Sequence, residues 1–312
     1  MQKMAISSSP HLRDHASTRS IMQDVCIALA PAGIAGIVLF GWAALKIILL
    51  SVVSCVFFEY LFQMMTHQKV TIGDWSAVVT GILLAYNIPA TAPWWIPVFG
   101  SFIAIVLVKQ MFGGIGSNFM NPALTARAIL FLSFSGIMAS YPQTRFAVDA
   151  VSTATPLAMI AEEGASSVSL MALLVGNCGG VLGETCKLAI IAGGVYLLWK
   201  RVIDWRIPVC FIATAFVCYL LRGGLTLAVN EIMAGGLMLG AFFMATDYAT
   251  SPVSNLGRVI MGVGCGLLLF VIREFASYPE GCSFAILFMN VCTPLIDRFT
   301  MPVRFGEVKK HA

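Results

Sequence analysis

The chain has 312 residues, of which 59% are hydrophobic and only 11% are charged, and its formal net charge is +4. Soluble domains carry about 25% charged residues, so this composition and a mean hydropathy of +0.88 exclude an ordinary soluble domain. They predict an all-α integral membrane protein surrounded by membrane lipid. The small positive charge is typical of the cytoplasmic loops of a membrane protein and indicates no nucleic-acid partner.

The N-terminal residues 1–20 are polar and of mixed charge, so they predict a cytoplasmic tail rather than a signal peptide, which needs an apolar core. Nine cysteines are scattered along the chain, and none forms a Cys-x-x-Cys pair. Cys178 and Cys186 flank a glycine-rich turn, where they are either ligands of a metal or cluster or small apolar fillers. The sequence predicts no other metal site.

Apolar runs follow one another along the rest of the chain, and a helix needs about 20 such residues to cross a bilayer. The predicted spans are 22–41, 43–65, 75–88, 96–112, 122–138, 168–199, 207–221, 231–246, 257–273 and 282–298. The third run is short and ends in the proline-containing segment 89–93, which predicts a broken helix. We therefore expect ten transmembrane helices, some of them interrupted.

Charged residues in the loops predict the sidedness of these spans. If the N-terminus is cytoplasmic, most loop cations fall on the cytoplasmic side together with the C-terminal tail 299–312. These cations are Lys69, Lys109, Lys200, Arg201, Arg206, Arg304, Lys309 and Lys310. The opposite side receives Arg145 and Arg222, offset by several carboxylates, and it also receives the loop 139–167. Both termini are therefore expected in the cytoplasm and this loop outside it.

Two segments of the chain match one another. Residues 81–93 align without a gap to residues 240–252, and further echoes follow each copy. Each half, 21–138 and 168–298, contains five spans, so the two copies must be inverted in the membrane. Inverted repeats with broken helices place polar backbone near the bilayer midplane, where membrane proteins bind polar ligands. The alternative is a chance match between glycine-rich and proline-rich apolar segments.

The segment 149–157 reads Asp-Ala-Val-Ser-Thr-Ala-Thr-Pro-Leu. Thr155 before Pro156 is typical of a helix start, where a hydroxyl accepts from free backbone N–H groups. The same residues also match the Asp-x-x-Ser-x-Ala-Thr signature that flavin transferases esterify with FMN on the last threonine, with Asp149 and Ser152 at the earlier positions. This interpretation requires a threonine hydroxyl that is open to a modifying enzyme.

With the motif at 118–123 (Asn-Phe-Met-Asn-Pro-Ala), Gly-Glu-Thr at 183–185 and the ten-span repeat, this segment resembles the D subunit of the Rnf ion-translocating electron-transport complex. The resemblance covers nearly the whole chain. A close relative of that subunit is the B subunit of the sodium-pumping NADH:quinone reductase, whose longer N-terminal extension is missing here. The protein is therefore identified as a member of a family of membrane redox subunits.

The resemblance implies an FMN joined by a phosphoester to Thr155, on the outer face of a bacterial inner membrane. It implies electron transfer between Rnf partner subunits of the A, B, C, E and G types, coupled to Na⁺ or H⁺ movement, and a flavin transferase for maturation. It also implies a noncovalent riboflavin beside Asn118 and Asn121. The alternative role of these two asparagines is to satisfy the backbone of a broken helix.

Carboxylates within apolar spans are costly, so each is a candidate for an ion path. The candidates are Glu59, Glu184, Glu231 and Asp247. Glu184 and Lys187 lie at i,i+3 and could simply pair with each other. Asp247 is the most suggestive because it lies at the break of the second repeat.

A second class of function fits the spans and the repeat equally well. The five-plus-five inverted architecture resembles that of urea transporters, so the chain could be a channel or carrier for a small polar solute. Only the redox hypothesis predicts the segment 149–155.

Overall fold

The computed structural model describes residues 17–142, 144, 155–163, 169–276 and 280–301. Every regular element in these ranges is helical. The first half contains α1 (Thr18–Phe40), α2 (Trp42–Met65), α3 (Ser76–Tyr86), α4 (Trp95–Phe102), α5 (Pro122–Ser133) and α6 (Ser135–Met138). The second half contains α7 (Pro156–Glu163), α8 (Leu170–Val175), α9 (Lys187–Trp199), α10 (Arg206–Met233), α11 (Leu237–Leu239), α12 (Asn255–Phe275) and α13 (Cys282–Thr300).

Within these ranges, six helices are long and apolar enough to cross a membrane. They are α1, α2, the continuous helix Trp95–Phe112 that begins with α4, α10, α12 and α13. Helices α3, α5 and α9 are apolar but shorter. Large apolar side chains such as Trp42 and Phe275 are about four-fifths exposed (78% and 80%), as expected for a surface that faces lipid. The all-helical membrane fold is therefore confirmed.

Several predicted spans are interrupted. The predicted span 168–199 consists of α8 and α9 with an irregular glycine-rich segment between them. Helix α10 joins two predicted spans, but Gly223 and Gly224 have non-helical backbone angles, so two helices meet there at a kink. After α10 the backbone breaks at 234–236 and then continues as α11 and one π-helical turn, Gly240–Met244. The two aligned segments 81–93 and 240–252 both run from a helix into a break. Their inversion in the membrane stays a prediction.

Small residues bring the two halves close together. Helix α1 packs against α9, and α5 packs against α13. At Gly193 of α9, a Cβ atom would collide with the backbone carbonyl group of Ala28 in α1. Only glycine permits this approach, which is the usual way that membrane helices gain packing contacts.

Candidate functional site

Thr155 directly precedes α7, and its side chain caps that helix. The backbone N–H of Ala158 donates to Thr155 Oγ1 over 3.3 Å. Thr155 is only 5% exposed, so the expectation of an open hydroxyl is wrong for the structure as it stands. Asp149 and Ser152, the other two residues of the predicted signature, lie outside the described residues.

The burial of Thr155 follows from the docking of α7. Leu157 and Ile160 are both 4% exposed and pack in one apolar cluster with Leu173 and Ala234. Gly235 has a φ of +63°, and a Cβ on it would lie 2.5 Å from Leu157 Cδ1. The left-handed glycine at the break after α10 therefore permits the close approach of α7.

The same break is held by two buried cations. Lys187 Nζ donates to the carbonyl oxygens of Glu184 (2.6 Å) and Gly235. Arg273 pairs with the Glu231 carboxylate at 3.0 Å and donates to the carbonyl oxygen of Ala234. The alternative that Lys187 simply pairs with the Glu184 side chain is not what the structure has, because the lysine bonds to the glutamate's backbone oxygen instead.

The Glu184 carboxylate pairs with Arg127 of α5. Arg127 Nη2 lies 3.2 Å from Glu184 Oε1 and also contacts the Glu280 carboxylate. Arg127 Nη1 donates to Asn87 Oδ1 over 2.7 Å, and Asn87 follows α3. All four residues are less than 10% exposed. Neither Arg127 nor Glu280 is among the site residues predicted from the sequence; the signal for Arg127 is a lone arginine within the apolar run 122–138.

Glu59 is the acceptor of a second buried network. Lys109 Nζ donates to both Glu59 carboxylate oxygens, over 3.0 and 2.9 Å, and to Ser76 Oγ over 2.6 Å. Gln110 Nε2 donates to Glu59 Oε1 over 2.9 Å. Glu59 is 1% exposed and Lys109 is 3% exposed, so neither is solvated at an interface.

Asp247 differs from the other three candidate carboxylates. Asn118 Nδ2 (3.3 Å) and Thr250 Oγ1 (3.4 Å) both donate to Asp247 Oδ2. In the described part of the chain no cationic side chain forms an ion pair with Asp247, whereas Glu59, Glu184 and Glu231 each have one. The side chains that donate hydrogen bonds to its carboxylate, Asn118 and Thr250, are therefore neutral.

The side-chain amide of Asn121 bonds to backbone groups. Its Oδ1 accepts from the N–H groups of Ala123 and Leu124 and so caps α5, which Pro122 opens. Its Nδ2 donates to the Met244 carbonyl oxygen over 3.2 Å, at the end of the second half's π-helical turn. The predicted backbone-satisfying role of Asn121 is thus present.

Asn118, Asn121 and Asp247 line one cavity of about 100 Å³, together with Ser76 and Lys109. Pockets for small organic ligands measure about 300 Å³ or more. The cavity therefore has the polar groups that a flavin edge requires, but its volume fits water and a small cation rather than a flavin ring. Lys109, which lines this cavity with Asp247, is also the partner of Glu59.

Cys186 Sγ lies 3.9 Å from the carbonyl oxygen of Leu174. Among the residues that the structure describes, no group of three or more His, Cys, Asp or Glu side chains is placed to hold a metal ion.

A lipid-facing helical bundle with paired charges and a polar cavity inside it defines a polytopic membrane protein with a charged interior. Comparison of the sequence with known protein families identifies it further. The chain belongs to the NQR2, RnfD, RnfE family, whose profile matches residues 5–306. The resemblance to the D subunits of Rnf complexes is therefore confirmed.

Three relatives illustrate the similarity. The chain is 50% identical over 315 residues (99% of this chain, 98% of the relative) to the D subunit of the Na⁺-translocating ferredoxin:NAD⁺ oxidoreductase complex of Acetobacterium woodii. It is 41% identical over 316 residues (96% of each) to the D subunit of the proton-translocating ferredoxin:NAD⁺ oxidoreductase complex of Clostridium ljungdahlii. It is 36% identical over 348 residues (97% of this chain, 99% of the relative) to the D subunit of the ion-translocating oxidoreductase complex of Escherichia coli.

The first prediction concerns the Glu59–Lys109 pair. Glu59→Gln leaves the Lys109 ammonium buried without its counter-charge, a change that costs about 3–5 kcal/mol in buried pairs. We expect a markedly lower thermal unfolding midpoint in detergent, and the double variant Glu59→Gln/Lys109→Met should recover most of the loss.

Asp24→Asn is the matched control. Its carboxylate lies 3.9 Å from Lys200, and both side chains are partly exposed, so its loss costs about 1 kcal/mol or less. A Glu59→Gln protein that unfolds at the wild-type temperature contradicts the prediction.

Proposed function

We propose that this chain is the flavin-carrying membrane subunit of an ion-translocating ferredoxin:NAD⁺ oxidoreductase complex of the Rnf type. It transfers electrons between partner subunits in the bacterial inner membrane, coupled to Na⁺ or H⁺ movement. The observation that carries the proposal is the 50% identity, over nearly the full length of both chains, to a subunit of such a complex. The names of these relatives favour a redox subunit over a channel for a small polar solute.

The chemistry at Thr155 suits a phosphoester of FMN. Thr155 is placed at the N-terminal end of α7, where free backbone N–H groups and the helix dipole favour a phosphate. FMN, when bound, supplies one-electron and two-electron chemistry, so the chain itself needs no nucleophile or acid–base pair. The role of α7 is to fix the position of the anchor relative to the bundle.

Attachment requires Thr155 to leave its buried position. An FMN group cannot be added to a hydroxyl that is 5% exposed and that already accepts from Ala158 N. We propose that the transferase acts while α7 is undocked, either before the chain has finished folding or during local opening. It would transfer FMN from a flavin dinucleotide donor, FAD, to Thr155 Oγ1, so that AMP leaves and the hydroxyl loses its proton. Local opening of a short surface helix costs less than global unfolding.

The second prediction tests the anchor. The chain produced together with a flavin transferase should fluoresce under ultraviolet light in a denaturing gel and should gain the mass of FMN less one water. Thr155→Ala should lose both signals completely because it removes the only oxygen that the proposal esterifies. Thr91→Ala, at an exposed loop threonine, should keep both.

A dark, unmodified wild-type chain contradicts the flavin proposal. The noncovalent riboflavin stays a prediction, and the flavin that acid extracts from the same preparation measures it. One equivalent of extracted riboflavin per chain would require a wider cavity beside Asn118 and Asn121 than the structure has.

The third prediction tests the undocking of α7. Leu157→Ala removes an apolar side chain that holds α7 against Leu173 and Ala234, and such changes cost about 2–5 kcal/mol. Purified unmodified protein carrying this change should incorporate FMN at least about tenfold faster than wild type when transferase and FAD are added.

Leu170→Ala is the control for this experiment, because Leu170 is 42% exposed and lies outside the apolar cluster under α7. Equal rates for Leu157→Ala and wild type would show that docking of α7 does not limit attachment.

We further propose that the cavity at Asp247 is part of the ion path. Asp247 offers a carboxylate with no cationic partner in the described residues, and Lys109 borders the same cavity while it neutralises Glu59. A Na⁺ ion or a proton that enters the cavity can be stabilised by Asp247 and compete with Lys109 for Glu59. Glu184 and Glu231 are paired with Arg127 and Arg273, so their carboxylates are less available to a moving cation.

The fourth prediction follows from this assignment. In the assembled complex, Asp247→Asn should strongly reduce ion uptake into vesicles per electron transferred, because the amide removes the negative charge that attracts the cation. The FMN band should be unchanged, and Asp24→Asn should translocate ions as wild type does. Undiminished uptake by the Asp247→Asn complex contradicts the assignment.

A further inference from the structure

The loop between α9 and α10 has two features of a membrane interface. Trp199 (76% exposed) and Trp205 (56% exposed) lie at its two ends, as tryptophans do at the level of lipid headgroups. The basic residues Lys200, Arg201 and Arg206 lie beside or between these tryptophans, and the Arg206 guanidinium lies over the Trp205 ring at 5.5 Å.

An open pocket of about 580 Å³ lies beside this loop. Its lining combines basic, apolar and hydroxyl-bearing side chains, including Arg201, Arg258, Leu198, Ile203, Ile207 and Ser251. The Tyr248 hydroxyl donates to the Val202 carbonyl oxygen, and this contact lies in the wall shared with the cavity at Asp247. The pocket therefore adjoins the cavity at Asp247 across these shared residues.

The pocket carries an excess of positive charge. Arg206 and Arg258 both pair with one carboxylate, Asp204, at 2.8 and 2.7 Å. Partial burial alone raises the pKa of Asp204, but the Arg206 backbone N–H and the Arg258 guanidinium outweigh it and hold the pKa below its usual value. Of the charged residues that line the pocket, Arg201 and Arg258 outnumber Asp204, so the lining keeps one net positive charge with Asp204 ionised, and Arg206 lies beside it.

Arg201 is held in a backbone conformation that arginine normally avoids. Its φ is +56°, and it closes α9 in a Schellman motif: Arg201 N donates to Leu198 O, and Val202 N donates to Leu197 O. Glycine or asparagine is usual at this left-handed position. In the described part of the chain no carboxylate pairs with Arg201, so the strain is not explained by an internal ion pair, and strained residues cluster at binding sites.

We propose that this pocket binds the phosphate of an anionic phospholipid headgroup, with Arg201 and Arg258 as the cationic ligands. Charge complementarity favours a phosphate. The apolar part of the lining and the two flanking tryptophans favour a lipid over a soluble anion, because an acyl chain can follow Leu198 and Ile207 into the bilayer. Basic pockets between transmembrane helices commonly bind such headgroups on the cytoplasmic side, which is the side that the loop charges predict here.

The experiment compares the full-length protein in detergent micelles under three conditions: with added phosphatidylglycerol, with added phosphatidylcholine, and with inorganic phosphate in the buffer but no added lipid. Phosphatidylglycerol should raise the thermal unfolding midpoint of wild type more than phosphatidylcholine does, and native mass spectrometry should show retained phosphatidylglycerol. Arg201→Asn should weaken the lipid affinity about fivefold, the effect of about one basic residue near a membrane surface.

Arg201→Asn separates lipid binding from folding. Asparagine tolerates a positive φ, so in phosphatidylcholine this variant should unfold no earlier than wild type, while a given concentration of phosphatidylglycerol raises its unfolding midpoint less. Arg201→Lys keeps the charge and should keep the response. Arg222→Asn removes an arginine that pairs with Glu274, and it should respond as wild type does.

Three results would overturn the proposal. The first is an unchanged response in Arg201→Asn. The second is a response reduced equally in Arg201→Lys, which would show that positive charge is not the determinant. The third is a response that inorganic phosphate reproduces at the same concentration, which would make the site one for a soluble anion.

Discussion

The fold depends on the neutralisation of charge in an apolar interior. Lipid offers no water to a carboxylate or a guanidinium, so a buried charge is costly unless the protein pairs it or supplies hydrogen bonds to it. Glu59 binds Lys109, Arg127 binds Glu184 and Glu280, and these partners are 50, 57 and 153 residues apart in the chain. These pairs therefore connect segments of the bundle that lie far apart in the chain.

Asn87 shows how this polar framework joins the two halves. Its Oδ1 accepts from Arg127, while its Nδ2 donates to Leu83 O and lies 3.9 Å from Met244 Sδ in the second half. The two broken segments that align in the sequence therefore meet at one amide. A polar residue at a helix break is tolerated here because both of its polar groups are paired.

Much of the fold could be predicted from the sequence, because apolar runs and glycine breaks are local signals. The kink at Gly223 and Gly224 lies just beyond the end of the predicted span 207–221. The burial of Thr155 could not be predicted, because it depends on the contact of Leu157 with Gly235, 78 residues further on. The pairing of Glu184 with Arg127 was missed for the same reason. The two residues are 57 positions apart, whereas Lys187, only three positions from Glu184, is the partner that local spacing suggests.

The hydrogen bonds of Lys187 that hold the break at 234–236 differ chemically from the ion pairs around them. Lys187 Nζ bonds to two peptide carbonyl oxygens, and a peptide oxygen does not titrate in the range where carboxylates do. Two kinds of acceptor therefore hold the segment under α7: Lys187 bonds only to backbone oxygens, whereas Arg273 of α12 bonds to the Glu231 carboxylate and to the Ala234 carbonyl oxygen.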